Sequence, residues 1–99
     1  MAVYFIFTFN VADEERFAPY RKGVGALIRR HQGQVLVADS NATVLEGNAH
    51  QVNVVVRFPS QEDAMAFYED PDYQPLKQLR ISTTSDTTAI MVKEFSPSH

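Results

Sequence analysis

Glu46 and Arg80 are the charged residues whose settings invite chemistry. Glu46 closes the short apolar run TVLEG, beside Gly47. A carboxylate at a strand end can enter a pocket and accept a proton once burial raises its pKa. Arg80 follows Tyr73 and Leu76 at helical spacing. On the inner side of a broken helix, a planar guanidinium fits a ligand carboxylate through two parallel hydrogen bonds. The structural alternative pairs Glu46 with an arginine on a sheet edge and Arg80 with a helix carbonyl, or pairs the two charges with each other.

Tyr20 joins these two as a candidate proton donor, and Arg57, Tyr68, Tyr73 and His31 are candidate ligand contacts. Each has a plainer reading. The three tyrosines fall at apolar spacing, which suits core residues with hydrogen-bonded hydroxyls. His31 ends the apolar stripe of its helix, an ordinary place for a helix-terminal histidine. Arg57 shares strand parity with Asn53 and Val55; if Val52, Val54 and Val56 meet the helices, this set faces the other way, where a buried charge is paired or binds a ligand. Nothing in the strand itself decides the parity. His31, His50 and His99 are too dispersed for a preformed metal site, and none is expected. Cysteine is absent, which removes thiolate ligands and nucleophiles. With no phosphate-cradling glycine loop, H-E-x-x-H or G-x-S-x-G motif, no cofactor is expected either.

AVYFIFTF at 2–9 is β-branched and aromatic and reads as a strand. Phe17, Tyr20, Val24, Leu27, Ile28 and His31 then recur at helical spacing. Pro19 suits a first helical turn, so the regular helix is expected to begin close to it and to stop near Gly33, with Asp13 to Glu15 in a separate turn. QVLVAD at 34–39 and TVLEG at 43–47 read as a hairpin around Ser40 and Asn41. QVNVVVRF at 51–58 is the clearest strand and ends at Pro59. Ser60 with Asp63 imitates a capping box, and Asp70-Pro71 is expected to start a second helical segment. A last strand is expected over 87–95, before a frayed tail at 96–99. One domain over 1–95 with this order suits an α+β ferredoxin-like sandwich, with helices on one face of an antiparallel sheet.

Such a sheet should alternate apolar and polar residues if its far face meets water. Here Tyr4 and Ile6 oppose Val3, Phe5, Phe7 and Phe9, and Val55 opposes its valine neighbours. Apolar weight on both faces predicts a homodimer whose sheets face each other.

The VADEERFAPY of 11–20, the TVLEG of 43–47 and the RFPSQEDAMAFYEDPDYQPLKQLR of 57–80 resemble the domain of unknown function numbered 1330. The resemblance covers nearly the whole chain. It implies a ferredoxin-like protomer in a dimeric α/β-barrel, a group that includes cofactor-independent monooxygenases, haem-degrading enzymes and muconolactone isomerases. It implies no particular activity. The chain departs from the usual pattern where Gln32 precedes Gly33 in place of a glycine pair, and at Ala12; both positions fall in loops.

The longest apolar run is too short to span a bilayer, and the N-terminus lacks a basic leader, so an untargeted cytoplasmic protein is expected. A net charge of −3 argues against nucleic acid, although Arg16, Arg21, Lys22, Arg29 and Arg30 cluster in one segment. RNA-recognition modules share this layout, but QVNVVVRF lacks their basic-glycine-aromatic pattern. Two function classes remain: an enzyme acting on a small aromatic or carboxylate-bearing molecule without a cofactor, and a non-catalytic ligand-binding or structural dimer.

Overall fold

A computed structural model describes residues 1–96; residues 97–99, including His99 and most of the expected tail, lie outside the described part. The elements run β1 (Val3–Val11), α1 (Glu14–Arg30), β2 (Gln34–Asp39), β3 (Val52–Phe58), α2 (Gln61–Glu69), α3 (Gln74–Thr83) and β4 (Thr84–Lys93). The four strands form one antiparallel sheet in the order β2-β3-β1-β4. The expected sandwich is therefore the observed fold.

The strand parity left open by the sequence is resolved here. Val3, Phe5, Phe7 and Phe9 are buried beneath the helices with Val52, Val56 and Phe58. Register aligns them in rows, Phe5 beside Val56 and Phe9 beside Val52. The helices add Phe17, Leu27, Ile28, Ala64, Phe67 and Tyr73 to this core. Arg57, Asn53 and Val55 lie on the opposite, open face. There Ile6 sits between Val55 and Ile90, and Tyr4 between Arg57 and Val92.

Four local expectations are corrected. α1 begins at Glu14 rather than near Pro19, because Asp13 caps it by accepting from the Arg16 amide at 3.1 Å. Pro19 is tolerated inside the helix since it stands on the exposed side, where water can reach the carbonyl of Glu15 that has lost its donor. Residues 43–47 form no strand: β2 is an edge whose one ladder goes to β3, and β-propensity without a partner does not make a strand. α3 starts at Gln74 with Pro75 in its first turn, while Asp70 to Tyr73 form a tight turn closed by the Tyr73 amide on the Asp70 carbonyl at 2.9 Å. β4 begins at Thr84 and ends at Lys93.

Ser60 does cap α2, accepting from the Asp63 amide at 3.1 Å. Two glycines set the distance between layers. A Cβ on Gly23 would lie 3.2 Å from Leu76, so its absence lets α1 approach α3 closely. A Cβ on Gly33 would lie 2.6 Å from both Ile28 and Phe58, closer than carbon atoms can come.

Candidate functional site

β2 remains exposed along its whole length, and its register against β3 shifts between Val35 and Val37. α1 therefore leaves this side of the sheet incompletely covered. The result is a cavity of about 400 Å³ between α1 and the sheet. Phe17, Tyr20, Val24, Gly25 and Ile28 form its roof, Phe7, Phe9, Val52, Val54 and Val56 its floor, and Val35 and Ala38 its outer side. Arg21, Asp39 and Ser40 also line it. The Arg21 guanidinium lies 4.8 Å from the centre of the Phe17 ring and 2.7 Å from Glu14.

Behind the roof, three sequence candidates come together. The hydroxyls of Tyr20 and Tyr73 are 3.0 Å apart, joining residues that lie on α1 and at the start of α3. Arg80 is 2% exposed, with its guanidinium carbon 5.5 Å from the centre of the Phe7 ring and its Nε without an acceptor. Burial pushes the Tyr20 phenol well above its ordinary pKa, and Tyr73 beside it adds to the effect. Burial works against the Arg80 charge, but the Tyr73 and Tyr20 oxygens around it more than offset this, so the guanidinium stays charged.

The remaining candidates stand elsewhere. Glu46 is exposed in the irregular segment after β2, beside Leu45, which is 90% exposed. No salt bridge joins Glu46 to Arg80 among the described residues. Tyr68 lines a second, smaller hollow of about 190 Å³ with Phe5, Phe7, Met65 and Met91, and Lys77 covers its ring at 4.7 Å. Arg57 is half-buried on the open sheet face. His31 Nε2 donates to the Asp70 carboxylate at 2.7 Å, which Arg30 also reaches at 3.1 Å, so it ties the end of α1 to the turn before α3.

By spacing alone Phe17, Tyr20, Val24 and Ile28 belong to one helix stripe, and Asp70 to a helix start. No local signal marks a gap between two layers, because it depends on how α1 crosses the sheet. Among the lining residues that are described, Asp39 is the one carboxylate, and it stands exposed at the rim. The chamber is thus lined chiefly by apolar side chains, and Tyr20 is the lining residue whose hydroxyl meets that of Tyr73. Among the described residues, no group of three or more metal-binding side chains converges, and no helix is long and apolar enough to cross a membrane.

Fold and site together define a ferredoxin-like α+β protein with an apolar chamber under its first helix. The chain belongs to the family described as domain of unknown function DUF1330, which matches residues 2–95. A protein of unknown function from Rhodopseudomonas palustris shares this fold with a TM-score of 0.81 at 17% identity, over 97% of this chain and 84% of that one. A dimeric ferredoxin-like protein of unknown function from Bacteroides fragilis aligns with a TM-score of 0.64 at 13% identity, over 95% and 96%. SnoaB, a cofactor-independent oxygenase from Streptomyces nogalater, aligns with a TM-score of 0.66 at 12% identity, over 96% and 94%. At these identities the likeness shows the fold. No curated protein matches the sequence.

Proposed function

We propose that the protein binds a small, largely apolar organic molecule in the chamber beneath α1, without a cofactor. The observation that carries this reading is the cavity itself: about 400 Å³, walled by aromatic and aliphatic side chains, with few polar groups. Chambers of this size and character suit small ligands, whose orientation a few polar atoms then fix. SnoaB, on the same fold, is a cofactor-independent oxygenase. Its chemistry is not carried over to this chain, whose chamber offers no buried carboxylate base among the described residues.

The proposed assembly is a homodimer through the open sheet face. Ile90, Val92 and Val37 are 46%, 37% and 43% exposed there, around the half-buried Ile6 and Val55. An apolar face of this extent on a monomer invites association, and a two-fold axis satisfies both copies at once. The dimeric ferredoxin-like proteins from Bacteroides fragilis and Thermobifida fusca support the reading.

Titration with 1-naphthol, followed by the ligand's fluorescence, tests the chamber. Saturable binding is expected, and Gly25→Leu should abolish it. Gly25 lines the cavity, and the nearest atom to a new Cβ is the end of the flexible Arg29 side chain at 3.3 Å, which can shift to make room. Replacing a mid-helix glycine also favours the helix by about 1 kcal/mol, so lost binding with kept or raised stability reads as a filled cavity. Unchanged binding in this variant removes the chamber from the function.

A further inference from the structure

Arg80 is a cation taken out of water with no negative charge beside it. No carboxylate forms a salt bridge with it among the described residues, and its Nε has no acceptor. Tyr20 does not supply the missing charge: burial first, and Tyr73 beside it, push its phenol pKa well above the ordinary value. The Tyr73 and Tyr20 oxygens favour the buried charge, but the usual complement of a buried cation is a partner ion. Within the described protomer that ion is absent, yet the group stands directly behind two residues of the chamber wall. Phe7 and Tyr20 both line the cavity, the guanidinium carbon lies 5.5 Å from the centre of the Phe7 ring, and the Tyr20 hydroxyl meets that of Tyr73.

Resting on the chamber reading above, we propose that the inner end of the cavity is an acid-recognition site, and that its ligand is an aromatic carboxylate. Tyr20 donates its hydroxyl hydrogen to the carboxylate, while Tyr73 donates to the Tyr20 oxygen. Arg80 is the positioning residue whose charge makes that contact selective for an anion over a neutral group. The ring of the ligand occupies the apolar space between Phe9, Phe17 and Val54. Arg21, the other cation of the wall, is exposed and already paired with Glu14, so solvent and that carboxylate blunt its attraction.

A matched pair of probes tests this: 1-naphthoate and the neutral 1-naphthamide, titrated at neutral pH into the wild type and into Arg80→Met, Tyr20→Phe and Arg21→Met. The wild type should prefer the acid by about ten- to a hundredfold, as charged hydrogen bonds do. Arg80→Met and Tyr20→Phe should erase that preference while leaving naphthamide binding within about threefold, and Arg21→Met should keep it. Tyr20→Phe preserves the ring, so it carries the test if Arg80→Met does not fold. A merely structural Arg80 would weaken both probes equally. Equal affinity of the wild type for the two probes, or loss of the preference in Arg21→Met alone, overturns the acid site and leaves the chamber standing. Binding of neither probe overturns both.

Discussion

His31 and Asp70 meet at 2.7 Å, Nε2 to Oδ2, across the gap between the end of α1 and the turn that joins α2 to α3. The same carboxylate takes a hydrogen bond from Arg30 at 3.1 Å and one from the backbone amide of Asp72 at 2.9 Å. One aspartate thus fastens the end of α1 to the turn between α2 and α3.

The His31 bond first, and the Asp72 amide after it, hold the Asp70 carboxyl below the usual range, at about 2. A group with a lowered folded-state pKa contributes stability that is complete above its ordinary value and disappears as pH falls through the folded one. Stability should therefore fall between about pH 4 and pH 2. Asp70→Asn should be less stable at neutral pH and show a shallower acid limb. Denaturant melts at stepped pH check this, and parallel acid limbs in the two proteins would remove Asp70 from the account.

Adjacent residues after α1 should respond in opposite directions. Gln32 has a φ of 68°, the left-handed position of a helix end at which the Gly33 amide reaches the Ile28 carbonyl at 2.8 Å and the Gln32 amide reaches Arg29 at 3.1 Å. A side chain there is strained, so Gln32→Gly should stabilise by about 1 kcal/mol. Gly33→Ala forces a Cβ into Ile28 and Phe58 and should destabilise by about 1–3 kcal/mol. Urea unfolding measures both.

Helix caps give a smaller, independent effect. Ser60→Ala removes the acceptor of the Asp63 amide, and Asp13→Ala that of the Arg16 amide. Each should cost about 1 kcal/mol, and the two should add, because the caps belong to different helices with no shared partner. A double variant no less stable than either single one would contradict this.

Ile90→Glu probes the assembly. Ile90 stands beside Ile6 on the open face and is 46% exposed, so in a monomer the change should move stability by no more than about 0.5 kcal/mol. In the proposed dimer it puts a charge into each half of the interface. Light scattering should then fall from twice 11.2 kDa to 11.2 kDa. A wild type that already weighs 11.2 kDa at micromolar concentration ends the dimer proposal.

Where the sequence was readable, the physics was local. Ser60 and Asp63 are three residues apart, and the alternation of Phe5, Phe7 and Phe9 needs only one strand. Its errors have a common origin. Val44 and Leu45 have strand-forming side chains, but no neighbour offers them a ladder. Pro19 breaks helices in general, yet here its exposed side of α1 makes the lost bond tolerable. Glu46 and Arg80 are opposite charges whose meeting would depend on the path of residues 40–51. The Tyr20–Tyr73 contact and the cavity arise only when α1, α3 and the sheet are docked.

The ladder between β1 and β4, in which Val3 faces Lys93, joins the opening strand to the closing one. Closing so long a loop adds little to the thermodynamic cost, about 0.6 kcal/mol per doubling, but it governs the order of folding. During synthesis β1 can find β3 while β4 is still being made, leaving one edge of β1 bare. That strand carries Ile90 and Val92, so the face of the proposed dimer is incomplete until β4 has paired with β1.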